Sequence, residues 1–554
     1  MGKNEPRAKP LLSGPVLALS GLLLAAGAWM LPANIRSISP VLLRAAGSGT
    51  PGLGAFGGQL VEGEKIGPAL LVLTAAHAAG DPAAPALAGA LEKLAARQPA
   101  FVSWGGWDPF LDPLFNLRSP EGRAASTPVL TFILPEAARG RLREYLSSSG
   151  SIGVQAILRT REVTGGTGRF IPAARPGGQP LDALILLTAL LYQGDRLSPA
   201  LQRELHGLAD GAAARNDLGA LGAFYLDLMA LGRRLDWMQL CELLRRADSS
   251  RTVGEFARLS RVAPDAFALV YSAALLTESA DRVAAYVIQF GKTGAEDLRL
   301  AASLGRGAIR ELVARQLAVN RSGGPVLAWA SDLVLEYPTA MLAARYFGFF
   351  LGLYLILRGL DAWTAAPGGY GPEPRRALSA RAGVLALLLS FLMVVATEPF
   401  LLKAAPASEY KVEVRLPMLA ASGALPGPPS PSQNIATMTT STVVSIAVFA
   451  LLQVAMYYIC LQKMAQIARQ DAPPLLKLRL MENEENLFDS GLYVGMMGTA
   501  AALVLQVLGV IEPNLLAAYS SNLFGIVCVA LVKIRHVRGF KRRLILENEA
   551  RSVA

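Results

Sequence analysis

Leu492–Ile511, LYVGMMGTAAALVLQVLGVI, and Leu515–Val532, LLAAYSSNLFGIVCVALV, are two apolar runs separated only by Glu512-Pro513-Asn514. Crossing ~30 Å of hydrocarbon at about 1.5 Å per helical residue takes about 20 mostly apolar residues. The pair therefore reads as a membrane hairpin. Working outward, runs of the same kind are Val443–Leu461, Ala382–Thr397, Met341–Leu360 and, at the other end of the chain, Pro15–Pro32. Between Pro32 and Met341 no run is long enough to cross. Leu181–Leu191 is strongly apolar but short, which suits burial in a protein core. The fold expected is mainly α. It is a polytopic helical membrane protein with about six transmembrane helices, one N-terminal and five C-terminal, carrying a large α-helical extracytoplasmic domain.

This reading divides the chain as follows. Residues 1–32 are a transmembrane anchor or signal peptide, 33–180 an Ala/Gly/Pro-rich extracytoplasmic region, and 181–340 an extracytoplasmic helical domain. Residues 341–397 hold the second and third spans, 398–442 a Pro/Gly-rich outer loop, 443–535 the fourth to sixth spans, and 536–554 a basic cytoplasmic tail. The first segment has a basic start (Lys3, Arg7, Lys9), an apolar stretch and Ala26-Gly27-Ala28 as a cleavage box, so anchor and cleaved signal both stay open.

Lys and Arg concentrate in cytoplasmic loops of membrane proteins. Arg358, Arg375, Arg376 and Arg381 lie between the second and third runs, and Lys463, Arg469, Lys477 and Arg479 between the fourth and fifth. Lys533, Arg535, Arg538, Lys541, Arg542 and Arg543 follow the sixth. In the 398–442 loop Lys403, Lys411 and Arg415 are offset by Glu398, Glu409 and Glu413. The expectation is N-terminus and C-terminus cytoplasmic and residues 33–340 periplasmic, in a bacterial inner membrane. The formal net charge of +11 then belongs to flanks facing anionic headgroups, so the expected partner is the lipid bilayer and not nucleic acid. Three cysteines, Cys241, Cys460 and Cys528, make no disulfide framework.

In the region outside the bilayer, Ser103–Pro109 and Ser119–Gly122 read as loops and Arg161–Pro180 as a long connection. Val129–Leu134, between two prolines, reads as a short strand, and Ala137–Ser147 as a helix. From Leu181 the pattern is helical. Trp237, Leu240, Cys241 and Leu244 recur at i, i+3, i+4, i+7, which predicts an amphipathic helix over Asp236–Ala247. Ser198-Pro199 reads as an N-cap with Pro at N1, and Thr252…Glu255 and Thr293…Glu296 have capping-box spacing. No internal repeat emerges.

Residues for catalysis are scarce. His77, His206 and His536 share no helix, which leaves a metal site or charge relay without material. Gly291-Lys292-Thr293 has Tyr286 where a phosphate-binding loop needs its leading glycine. Ser151 has Ser149 where a nucleophile elbow needs glycine. Asp108 and Asp112 could pair as carboxylates but sit in turn-forming sequence. No enzyme, catalytic residue, metal or cofactor is expected.

Small and polar residues mark the last spans. Gly491…Gly495 is a GxxxG pair followed by Gly498-Thr499, Ser521…Gly525 is small-xxx-small, and Gly348…Gly352 gives the second span a similar face; such residues let helix backbones approach closely. Thr499, Gln506, Ser520, Ser521 and Asn522 are polar within apolar runs, and such side chains face protein or water. The hairpin Gly495-Met496-Met497-Gly498-Thr499…Ser521-Asn522-Leu523-Phe524-Gly525 with its basic tail resembles the last two spans of MotA/TolQ/ExbB proton-channel subunits. That family has a G-x-x-G-T-like stretch on its penultimate span, and its last span often reads A-x-x-x-T-x-x-G. Asn522 stands where the threonine is expected, 462–489 is shorter than usual, and the large outer domain is foreign to the core family.

Position by position, the resemblance implies that Thr499 and Asn522 line an ion path, which polar Ser521 and Gln506 would extend. It also implies that Gly498 and Gly525 pack helices, a role that their spacing gives Gly491 and Gly495 as well. It further implies a homo-oligomer and a single-span partner with a membrane-embedded Asp, because the hairpin has no acidic residue mid-span. Two functions stay open: a component of an ion-driven complex, and a scaffold or receptor with no ion path that presents its outer domain to periplasmic proteins. A transporter is a third.

Overall fold

All six apolar runs fold as helices: Gly14–Met30, Pro338–Thr364, Arg375–Thr397, Thr440–Arg469, Ser490–Val507 and Leu515–Ala530. None has a proline beyond its first turn, so no ring interrupts the hydrogen-bond ladder. Two are long and apolar enough to cross a membrane, over Pro338–Ala362 and Ile446–Arg469. Gly14–Met30, Ala382–Val394 and Ser490–Val504 are shorter apolar stretches. Leu515–Ala530 continues without a break through a π-helical segment, Leu531–Val537, into helix Arg538–Val553.

This computed structural model describes residues 14–117, 125–163, 169–321, 326–364, 375–398, 440–507 and 515–553. The chain is mainly α. It divides into two compact units, whose described residues are 14–39 with 320–398 and 440–553, and 40–319.

In the first unit the N-terminal helix pairs with Pro338–Thr364 through small residues. A side chain at Gly352 would lie 2.8 Å from Gly21 O, and one at Gly359 would lie 2.7 Å from Gly14 O. One at Gly348 would meet Ala28 Cβ at 2.8 Å. Gly14, Ala18, Gly21, Ala25 and Ala28 recur at alternating steps of four and three. Their partners follow in reverse chain order, so the pair is antiparallel. The large residues of the same helix point away: Leu19, Leu22, Leu23 and Trp29 are exposed. At the other end of the unit, Cys460, Met464, Ile467, Met481, Phe488, Val532 and Val537 form a small buried core. His536 joins it through Tyr457 Oη, 2.8 Å from Nε2.

The second unit has the opposite packing, with large apolar residues inside. Leu181–Leu191 is wholly buried within helix Gln179–Gln193, as its length suggested. Helix Trp237–Leu244 corrects the amphipathic expectation. Every residue in it is buried, Gln239 and Glu242 included, because polar groups of its outer face have partners in neighbouring elements. Gln239 Nε2 donates to Gly67 O at 2.9 Å, and Glu242 pairs with Lys65 at 2.7 Å and Arg246 at 2.6 Å. Periodicity counted only the apolar stripe.

Asp236 caps this helix in a reciprocal box with Gln239, and Ser126 Oγ donates to its other oxygen at 2.7 Å. Burial pushes the Asp236 carboxyl up to about 7, against the opposing pull of the Gln239 N–H and Ser126 hydroxyl. Glu242 is also desolvated, but Lys65 and Arg246 outweigh burial and hold its carboxyl below the usual range.

Three local expectations change. Val129–Leu134 forms a one-turn helix, Leu130–Ile133, instead of a strand; so short an apolar run carries no period to separate the two. The extended pieces are Ser37–Ile38 and Ala318–Val319, two residues each. Helix Ser250–Val262 is capped by Ser249, whose side chain accepts from Thr252 N, so the cap lies one turn before the expected Thr252. Thr293 lies inside Ala280–Leu304, past a break at Gly291 (φ 58°), and is no cap. Ser198 caps Pro199–Arg215 as read, accepting from Leu201 N at 3.1 Å.

Candidate functional site

The hairpin Ser490–Val507/Leu515–Ala530 packs at backbone distance. A side chain at Gly525 would lie 2.6 Å from Gly491 O and 3.2 Å from Gly495 Cα, and one at Gly495 would lie 2.9 Å from Ser521 O. Gly498 faces Ser521 Oγ and the Phe449 ring of helix Thr440–Arg469. These are the four glycines singled out above, and they meet at one three-helix junction. Gly348 and Gly352 belong elsewhere, on the seam with Gly14–Met30.

The polar residues gather at the same junction. Ser521 is buried and donates to Gly495 O at 3.1 Å; Thr499 Oγ1 donates to the same carbonyl from within its own helix, also at 3.1 Å. A side chain that sequence reasoning passed over completes the group. Gln453 is buried on helix Thr440–Arg469 and donates through Nε2 to Gly491 O at 3.0 Å. Cys528 Sγ lies 3.6 Å from Gln453 O. Gln453 Oε1 and Asn522 Oδ1 are buried with no hydrogen-bond partner among the described residues. A lone glutamine in an apolar run is the signal that was available. The Gln506 side chain lies outside the described residues.

A second polar cluster in this unit also escaped the sequence reading. Glu398 is fully buried just after helix Arg375–Thr397. It accepts from Ile35 N at 2.9 Å, Arg36 N at 3.3 Å and Tyr346 Oη at 3.0 Å. Arg345, buried next to Tyr346 on helix Pro338–Thr364, donates to Ala33 O at 2.5 Å and to Asn34 Oδ1, with its guanidinium 5.7 Å from the Phe349 ring centroid. The partners are distant in sequence, so only the fold brings them together. A carboxylate held by three donors and a guanidinium held by carbonyl oxygens together fasten the junction after Met30.

The residues considered for catalysis lie apart. Both Asp108 oxygens are engaged, by Arg196 at 2.5 Å and Trp237 Nε1 at 2.7 Å, so this carboxylate holds the core together and does not face Asp112. His77 is exposed on helix Ile66–Ala79, and His206 lies 3.3 Å from Asp210 on the surface of Pro199–Arg215. Cys241 is buried in helix Trp237–Leu244. Ser151 precedes helix Ile152–Arg159, with its N–H donating to Ser149 Oγ at 3.1 Å.

The junction can pack helices tightly and can bury a few polar groups between them. Comparison of the chain with protein-family models, curated proteins and solved structures gives no match.

Proposed function

We propose that this protein is a non-enzymatic, multi-pass inner-membrane subunit. It assembles through its C-terminal helices and presents the helical 40–319 unit to protein partners on the periplasmic side. The observation that carries the membrane reading is the inverted packing of the first unit. In helix Gly14–Met30 the glycine and alanine face is inside, while Leu19, Leu22, Leu23 and Trp29 face out at 59%, 57%, 66% and 48% exposure. Large exposed apolar surface on several helices marks a membrane or protein contact. In lipid, where helices associate through small residues and van der Waals packing, it is the expected arrangement.

The remaining apolar helices and the Lys/Arg flanks extend this to six spans with both termini cytoplasmic. The backbone-tight seam of Gly14–Met30 with Pro338–Thr364 supports an uncleaved anchor over a signal peptide, since cleavage would remove half of it. Impermeant-thiol labelling in intact cells tests the topology. A cysteine at exposed Val262 should react from outside and one at exposed Leu475 should not.

For the hairpin itself, the engaged hydroxyls of Ser521 and Thr499 support a packing role, which favours the scaffold. A second reading rests on the two unpartnered oxygens of Gln453 and Asn522. Leaving a buried acceptor unmatched costs about 1–3 kcal/mol. That cost is relieved if an acidic partner helix or a hydrated ion path meets them, as the MotA/TolQ/ExbB resemblance implies. Proton flux separates the two readings.

A further inference from the structure

The 40–319 unit contains a basic cleft that plays no part in the membrane reading. It has a volume of about 520 Å³, within the range of small-molecule sites. It lies between helix Gly219–Gly232 and the end of helix Ser250–Val262, and four arginines line it: Arg169, Arg233, Arg234 and Arg261. All four are exposed. The floor is apolar, with Leu226 and Met229 among its residues.

Arginine at a helix C-terminus has an ordinary explanation, because it can satisfy the last carbonyls and complement the dipole. Two of the four bond such carbonyls. Arg234 donates to Ser260 O and Arg261 Nε donates to Ala257 O at 3.3 Å, both near the end of helix Ser250–Val262. Arg233, the C-cap residue of helix Gly219–Gly232, complements that helix's dipole but makes no such side-chain bond among the described residues. Arg169 lies outside any helix, and the acidic residue lining the cleft is Asp227.

Asp227 is seated by Gly254, where any side chain would come within 2.7 Å of its Oδ2. Burial raises the Asp227 carboxyl, while Arg261 and Arg258 pull it back down. The cleft thus keeps a large excess of positive charge over an apolar floor. Guanidinium forks match the oxygens of phosphate groups, and an apolar floor takes the body to which they are attached.

We propose that this cleft binds a ligand bearing a phosphate or pyrophosphate group on a partly apolar body. The group comes from a free phosphorylated metabolite or from a lipid headgroup, and the recognition chemistry is the same. Arg169 and Arg233 clamp the oxyanion. Asp227 sets an upper limit on affinity by like-charge repulsion.

The test uses the full chain in phosphatidylcholine nanodiscs, titrated calorimetrically with inorganic pyrophosphate and separately with dihexanoyl phosphatidic acid. Saturable binding of either probe is expected, weakening with salt. Tighter binding of the lipid probe assigns a headgroup, and tighter pyrophosphate a free phosphate. Arg169→Gln with Arg233→Gln should weaken binding by about tenfold or more, with helical content and melting unchanged because both residues are exposed and neither makes the helix-terminus bonds of Arg234 and Arg261. Asp227→Asn should strengthen it, an opposite sign that misfolding cannot mimic. Absence of saturable binding by both probes, or binding unaffected by the arginine pair, overturns the proposal.

Discussion

Ser521 donates its hydroxyl to the main-chain carbonyl of Gly495 across the last helix pair, at 3.1 Å. That contact exists because neither Gly495 nor Gly525 has a side chain to hold the backbones apart. The hydrogen bond and the absent side chains carry different weights. Interhelical hydrogen bonds in membranes average about 0.6 kcal/mol, whereas a branched side chain between two backbones must push the helices apart. Ser521→Ala should leave the oligomer on a native gel unchanged and lower its thermal midpoint slightly. Gly495→Leu should break the assembly or leave the hairpin open to protease.

Flux decides whether the junction also conducts. The double variant Thr499→Val, Asn522→Leu and the single variant Gln453→Leu remove polar groups and keep the volume close. On the packing account, vesicles containing the complex with any acidic partner helix show the same proton flux before and after substitution. On the conduction account flux disappears while oligomer size stays the same.

Acidity should act on the 40–319 unit through Asp236. Its folded pKa, about 7, stands above the unfolded value, so the folded unit holds an extra proton between about pH 4 and 7. Stability is therefore highest below that window and falls as pH rises through it, by a few kcal/mol at most. Glu242 acts in the opposite sense, its contribution being lost as pH falls below its ordinary range. With Cys460 and Cys528 replaced by alanine, thiol labelling of buried Cys241 during heating reports unfolding in the full chain. The midpoint should be higher at pH 5.5 than at pH 7.5, and Asp236→Asn, which keeps a capping oxygen, should flatten the difference.

How far the sequence carried the fold depended on what had to be known about neighbours. The apolar runs, the buried Leu181–Leu191 segment and the Ser198 cap were legible because length, composition and local spacing determine them. The helix Trp237–Leu244 was located but misjudged. Its stripe of Trp237, Leu240, Cys241 and Leu244 was visible, but Lys65, Gly67 and Arg246 cover Gln239 and Glu242, and of these only Arg246 is close in sequence. At the junction the glycines and Ser521 stood out as a motif. Gln453 did not, because its partner Gly491 lies on another helix. The Glu398–Tyr346–Ile35 cluster was illegible for the same reason.

The proposed assembly runs through the C-terminal helices, and cysteine cross-linking in native membranes reads it out. Met497 is 69% exposed on Ser490–Val507, whereas Ala502 is 2% exposed and faces its own chain. In a background without Cys241, Cys460 and Cys528, oxidation of Met497→Cys should give a disulfide-linked dimer and Ala502→Cys should not. A purified complex should also have the mass of several chains. A monomeric mass in nanodiscs, with neither position cross-linking, would contradict the account.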